Sequence, residues 1–150
     1  MPAIIPRSAL ILGLAGLIPF VWGGLTVLAP DLADWSAGRL GARFTGPYVG
    51  LAYGTVILAF MSGVLWGFAT KAEGTDAALG YGLSVIPALW AFFMVGGGPV
   101  SAAINLMAGF VGLLALDWHF WRAGLAPAWW LRLRMGLTAA VLASLTPIVI

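Results

Sequence analysis

The residues best suited to chemistry in this chain lie in one short stretch, Leu116–Arg122. It contains Asp117 and the single His of the sequence, His119. A carboxylate and an imidazole this close suggest a proton relay or a general base. One His with one carboxylate is too small a ligand set for a metal ion, and Cys is absent. We favour the simpler interpretation that both side chains hydrate a helix end at the membrane edge, where ionisable groups cost far less than at the bilayer centre.

The segments that must position this stretch are the helices of a membrane protein. Of the 150 residues, 62% are hydrophobic and 8% are charged, whereas soluble domains carry about 25% charged residues. Mean hydropathy is +1.04, and apolar runs of about 20 residues, the length of a membrane-spanning helix, recur along the chain. Such runs must be helices, because lipid offers no partners for backbone amides.

The sequence therefore predicts an all-α, polytopic bundle of five transmembrane helices that forms one integral membrane domain over residues 1–150. The predicted spans are residues 8–28, 48–69, 77–95, 100–116 and 129–150. The first run is longer than the apolar region of a typical signal peptide, so we expect it to be a retained span.

Basic residues predict how the bundle is oriented. Five of them fall on the side of the N-terminus, and only Arg39 and Arg43 fall on the other side. The five are Arg7, Lys71, Arg122, Arg132 and Arg134. By the positive-inside rule, the N-terminus lies inside and the C-terminus outside, in a bacterial inner membrane or in the mitochondrial inner membrane of a eukaryotic relative. We expect Arg122, Arg132 and Arg134 to form an exposed basic collar at the inner surface. Topogenic charge alone explains such a collar, and a contact site for cardiolipin or another anionic lipid is a compatible alternative. Nothing in the charge pattern indicates nucleic-acid binding.

Small residues in the second span predict close helix packing. Gly50/Gly54 and Gly63/Gly67 are two small-xxx-small pairs on nearly opposite faces of one helix. A helix with two such faces should lie between two neighbours. We therefore expect the second span at the centre of the bundle.

The fourth span carries a stripe of polar and small residues: Ser101, Asn105, Gly112 and His119 lie within about 40° of one line along the helix. Asn105 is well inside the membrane and should face protein rather than lipid. We favour an interhelical hydrogen bond for it. The alternative is a polar lining for a lipid or quinone headgroup.

Catalytic constellations are poorly signalled. Gly82 and Ser84 form a Gly-x-Ser pattern, and His119 is the only potential base for the serine. Rhomboid-like proteases use such a Ser–His pair, but no oxyanion donor is identifiable here. Haem ligation by His119 and Met135 is equally weak. We predict that the protein is not an enzyme and holds no metal or cofactor, while a bound lipid or quinone stays open.

Several stretches carry a family resemblance. They are Leu12–Phe20, Ala52–Tyr53, Phe60–Gly67, Ser84–Pro87, Leu116–Asp117 and Pro127–Arg132. Together they resemble the small membrane proteins grouped as domain of unknown function 3429, which include a eukaryotic mitochondrial inner-membrane relative, transmembrane protein 69. The resemblance covers nearly the whole chain. It implies five spans and a bacterial or mitochondrial inner-membrane location, and it supplies no catalytic residues.

From these observations we predict an accessory, assembly or structural component of membrane complexes. The family's location favours complexes of respiratory or other energy-transducing membranes. Its partners would be membrane lipids and other membrane-protein subunits. Two alternatives stay open. One is a lipid- or quinone-binding protein, and the other is a small proton-coupled carrier that uses Asp117 and His119.

Overall fold

The helices of this protein cover most of residues 3–150, the part that the computed structural model describes; this part contains no strand. They are α1 Arg7–Ala15, α2 Ile18–Leu28, α3 Pro30–Leu40, α4 Gly46–Ala69, α5 Gly74–Ser84, α6 Ile86–Met94, α7 Pro99–Arg122 and α8 Trp130–Val149, with a short 3-10 helix at Ala42–Phe44. Five segments are long enough and apolar enough to cross a membrane: the pair α1–α2, α4, the pair α5–α6, α7 and α8. The predicted all-α architecture with five spans is confirmed.

Prolines explain why two of the spans are broken. Pro19 and Pro87 lie in the first turns of α2 and α6. Backbone N–H groups in a first turn have no acceptor within the helix, so the absence of an N–H in proline costs no hydrogen bond there. A break leaves other amides unpaired, and lipid cannot satisfy them. The amide of Ala88 instead donates to Ser62 Oγ on α4 at 2.8 Å. The polar atom that stabilises the kink therefore comes from a neighbouring helix.

Helix α4 lies at the centre of the bundle and contacts α2, α5, α6 and α7. Gly50 and Gly54 are buried on its inner side. A Cβ at Gly54 would come within 2.5 Å of Leu106 Cδ2 on α7, so a larger residue here would force the fully buried Leu106 side chain to move.

The second small-residue pair of α4 does not pack as predicted. Gly63 and Gly67 are exposed, and an added Cβ at either would meet no described atom within 4 Å. The reason is that α5 and α6 pack on the face of α4 that carries Ser62 and Ala69. That face lies beside the glycine pair rather than on it, so the prediction of neighbours on both glycine faces is wrong for Gly63 and Gly67.

Helix α7 is longer than the sequence pattern indicated. The polar pair at its end suggested a span that stops at Leu116, but the helix continues to Arg122. No helix-breaking residue occurs before Gly124, whose positive φ of 74° turns the chain. Asp117 therefore lies inside a helix rather than at its end.

Helix α1 stands apart from the bundle. None of its residues is buried, and it packs mainly against α8. Helix α2 turns inward after the break, and Phe20 packs edge-on against Tyr53 of α4 and Phe110 of α7, with ring centroids 5.1 and 5.7 Å away. This divergence leaves a groove between α1 and α4.

Candidate functional site

A buried ion pair joins the ends of α7 and α8. Asp117 is fully buried, and Arg134 retains only 6% of its exposure. Arg134 Nε donates to Asp117 Oδ2 at 2.7 Å, and Trp130 Nε1 donates to Asp117 Oδ1 at 2.8 Å. Both carboxylate oxygens therefore have a hydrogen-bond partner. The expectation that Asp117 reaches water or headgroups is wrong.

The hairpin between the two helices explains how these residues meet. Asp117 stands seven residues before Gly124, and Arg134 stands seven residues after Pro127. In antiparallel neighbours this symmetry brings both side chains to the same level. Trp130 lies one turn from Arg134 on the same face of α8, because residues four apart are neighbours on a helix. At about 1.5 Å per residue, the pair lies roughly 6–8 Å inside the helix ends.

The hydrogen-bonding capacity of the site is only partly used. Within the described residues, the buried side-chain atoms that lack a partner are Arg134 Nη2 and Thr138 Oγ1. Thr138 is 2% exposed and follows Arg134 by one turn of α8. A buried polar atom without a partner costs about 1–3 kcal/mol. The two residues lie four positions apart on one face of α8.

Both atoms belong to residues that line the groove between α1 and α4. The groove has a volume of about 440 Å³ and is open along one side. Its walls are mainly apolar and aromatic: Ala9, Leu12, Gly13, Gly16, Leu17, Phe20, Tyr53, Val56, Ile57, Phe60, Met61, Phe110, Trp129, Trp130, Leu133, Leu137 and Val141 complete the lining. This is the composition of a small-molecule site, apolar with a few placed polar groups.

His119 does not join this site. It is partly exposed, and its ring packs edge-on against Phe120 at 5.7 Å. Residues two apart on a helix point about 200° apart, so Asp117 faces α8 while His119 faces away from it. The structure does not bring the two together as a relay.

Asn105 also lies away from the groove. It is half-buried on α7, and its backbone carbonyl accepts a hydrogen bond from Trp90 Nε1 at 2.7 Å. Ser101 at the start of the stripe is exposed and donates to Gly98 O at 3.2 Å. Neither residue is part of the groove lining, so the polar residues of the groove are Tyr53, Arg134 and Thr138 instead of members of the predicted stripe.

The predicted basic collar divides into two surface residues and one buried residue. Arg122 is exposed and lies over the Trp118 ring at 5.1 Å. Arg132 is exposed and donates to Ala3 O at 2.8 Å. Arg134, two residues after Arg132, points inward to Asp117. The prediction of an exposed collar is therefore wrong for Arg134, because a residue two positions from Arg132 faces the opposite side of α8.

Ser84 is not presented as a nucleophile. It is fully buried, and its hydroxyl donates to Tyr81 O at 2.7 Å within α5. A serine that back-bonds to its own helix in this way is typical of transmembrane segments.

Comparisons with known proteins agree with the architecture. The family model described as "Protein of unknown function (DUF3429)" matches residues 5–150. The chain belongs to this family. It is also 33% identical over 152 residues to Transmembrane protein 69 of Xenopus tropicalis, an alignment that covers 93% of this chain and 53% of the relative. The chain thus spans about half the length of that curated relative. No solved structure matches it.

Within this DUF3429 chain, sequence reasoning singled out Asp117 and Arg134 but assigned them separate roles. It missed Trp130 and Thr138 as members of one site. The available signal was the symmetric placement of two opposite charges about the Gly124–Pro127 turn, which predicts a pair in an antiparallel hairpin. Thr138 gave no signal, because a single Thr in an apolar helix is common.

Proposed function

We propose that this membrane protein binds an amphiphile of the bilayer, a lipid or a quinone, in the groove between α1 and α4. The observation that carries the proposal is the groove itself, which has a volume of about 440 Å³, is open along one side, and has a mainly apolar and aromatic lining that includes the polar residues Arg134 and Thr138. The proposed role is non-catalytic. The chain contributes a binding surface and no reacting group.

The open side of the groove supports entry from the bilayer. Leu12 on α1 and Val56 and Phe60 on α4 line it, and they are 72%, 61% and 64% exposed. These side chains flank the gap that α1 leaves when it diverges. An alkyl or isoprenoid chain can lie between them without crossing a polar surface.

Filling the groove tests this proposal. Val56→Trp places a large side chain in the gap at an exposed position. Val111→Trp is the matched control, because Val111 is 54% exposed on α7 and is not among the lining residues. Protein extracted in mild detergent is analysed by native mass spectrometry for bound small molecules. We expect the wild type and Val111→Trp to retain an amphiphile that Val56→Trp loses. Equal occupancy in all three proteins would contradict the proposal.

A second candidate function, an accessory subunit of other membrane complexes, is supported by a different surface. Gly63 and Gly67 lie on the outer face of α4, where a further helix could approach closely. We propose this role for an inner membrane, with the N-terminus inside and Arg122 and Arg132 at the anionic-lipid surface. The location in an energy-transducing membrane rests on the family resemblance.

The accessory role is tested at the exposed glycine pair. Gly63→Leu/Gly67→Leu should reduce cross-linking to neighbouring membrane proteins in the native membrane. Gly136→Leu is the control, since Gly136 is an exposed α8 glycine with equal space around it. Unchanged cross-linking in the double variant would remove the support for this surface. The carrier alternative is the least supported, because Asp117 and His119 face apart.

A further inference from the structure

We propose that α3 and the 3-10 helix that follows it dock on the phosphate layer of the membrane, on the side opposite the N-terminus. In this arrangement Arg39 and Arg43 contact phospholipid phosphates. Leu40 and Phe44 reach the apolar layer beneath them. None of these residues lines the groove between α1 and α4, so the surface is a second one, independent of the proposed amphiphile site.

The chain connections keep this segment at the level where the spans end. Only Ala29 separates the end of α2 at Leu28 from the start of α3 at Pro30. At the other end of the segment, the backbone N–H of Gly46 donates to Thr26 Oγ1 in the last turn of α2 at 2.8 Å. The chain therefore leaves and re-enters the bundle at one level. Helix α3 has 11 residues, a length of about 16 Å, which is too short to cross the bilayer.

The 3-10 helix is held beside the end of α2 and does not project into water. Trp22 Nε1 donates to Phe44 O at 2.7 Å, and Trp22 lies six residues before the end of α2. Phe44 is therefore beside the last turns of a membrane span, with 49% of its surface exposed. Helix α3 packs against both α2 and the 3-10 helix, so it is held at the same boundary.

One face of α3 is covered at its middle and open at its end. Ser36 is 0% exposed, whereas Leu40 is 54% exposed. Residues four apart lie on the same face of a helix, so the face that the protein covers at Ser36 is uncovered one turn later. The bundle lies on the membrane side of a helix at the surface. An apolar side chain on this open face therefore meets lipid, as in an amphipathic helix that lies in the interface.

The charges of the segment complement phosphate. The Arg39 guanidinium lies over the Trp35 ring at 5.7 Å, and the Arg43 guanidinium lies over the Phe44 ring at 5.6 Å. Both arginines are exposed, and neither forms an ion pair with a carboxylate of residues 3–150. Aromatic rings are enriched at the headgroup level, and a guanidinium fork matches phosphate oxygens. Two free cations that rest on rings at this level therefore favour a phospholipid surface over a protein partner.

The position of α3 can be measured with spin labels, because the chain contains no cysteine. Leu40→Cys carries a nitroxide on the open face. Gly38→Cys is the matched control, since residues two apart point about 200° apart and an added Cβ at Gly38 meets no atom within 4 Å. The full chain is reconstituted in phosphatidylglycerol vesicles, and collisions with oxygen and with a water-soluble nickel chelate are measured by paramagnetic resonance. We expect oxygen to dominate at Leu40 and nickel at Gly38.

The role of phosphate is tested by removing either partner. Digalactosyldiacylglycerol vesicles supply a bilayer without phosphate, and Arg39→Gln/Arg43→Gln removes both guanidinium groups. One arginine near an anionic surface favours the bound state about 5-fold. Both changes should therefore lower the oxygen-to-nickel ratio of the Leu40 label toward that of the Gly38 label. Arg122→Gln is the control, because this exposed arginine ends α7 on the other side of the membrane; it should leave the ratio unchanged.

Three results would overturn the proposal. Equal nickel access at Leu40 and Gly38 in phosphatidylglycerol would place α3 in water. Shielding of both labels from both reagents would mean that a protein partner or a second copy of the chain covers the segment. An oxygen-dominated Leu40 label whose ratio changes neither in the galactolipid nor in Arg39→Gln/Arg43→Gln would show that phosphate does not hold α3 at the membrane.

Discussion

Replacing Arg134 by Met while Asp117 stays in place probes the feature that holds α7 to α8. The variant leaves the carboxylate fully buried with a single donor, Trp130 Nε1. Removing one member of a buried ion pair costs about 3–5 kcal/mol, because the remaining charge is left without its partner. Asp117→Leu should cost somewhat less, since the long Arg134 side chain lines the open groove and can bend toward the helix end.

The double variant Asp117→Leu/Arg134→Met separates pairing from packing. It removes both charges and leaves the indole N–H of Trp130 without an acceptor, which costs about 1–3 kcal/mol of unfolding free energy. We therefore expect the double variant to be more stable than either single variant. Such a reversal is the signature of strong coupling between two residues.

Unfolding is measured by titrating dodecyl sulfate into mixed micelles and following helical circular dichroism. Arg132→Met is the control, because Arg132 is an exposed neighbour whose hydrogen bond to Ala3 O is at the surface. It should change the unfolding free energy by no more than about 1 kcal/mol. If Arg134→Met unfolds at the same midpoint as Arg132→Met, or if the double variant loses the sum of the two single losses, the ion pair does not stabilise the hairpin as argued.

Three further predictions concern packing and orientation. Gly24→Ala should cost about 1–3 kcal/mol in the same titration, because its Cβ would lie 2.7 Å from Ser144 O of α8, whereas Gly67→Ala should stay within about 0.5 kcal/mol; equal midpoints would contradict this. Ser62→Ala should cost about 1–3 kcal/mol by leaving the amide of Ala88 unpaired, and Ser101→Ala, at an exposed site, serves as its control. A topology reporter fused to the N-terminus should report the cytoplasm, and a periplasmic signal would refute the charge-based orientation.

The parts of the fold that could be predicted are those set by local composition. Each span is an apolar run of sufficient length, and a helix is the only structure that such a run can adopt in lipid. The breaks near Pro19 and Pro87 follow from the missing N–H of proline. The central position of α4 was predicted from two glycine pairs on opposite faces, and only Gly50 and Gly54 pack as that argument requires. The same rule was misleading for Gly63 and Gly67, because small residues permit close approach without requiring it.

The candidate site was harder to predict, since it depends on which faces of α7 and α8 meet. One residue of extra helix rotates every later side chain by about 100°. The sequence pattern predicts a span that stops at Leu116 and so places Asp117 at a hydrated helix end, whereas the structure places it in the interface between α7 and α8. Arg132 and Arg134 looked equivalent as basic residues after Trp130, but the rotation of α8 exposes one and buries the other.

What the sequence alone determined is that this chain consists of five membrane-crossing helical segments, because hydropathy and segment length are local properties. Only the tertiary structure decided that Asp117, Trp130 and Arg134 form one buried hydrogen-bonded group, and that Thr138 lies beside it in a groove. Both outcomes depend on relations between helices: the rotation of α8 against α7, and the divergence of α1 from α4. These relations arise from packing, which no single segment encodes.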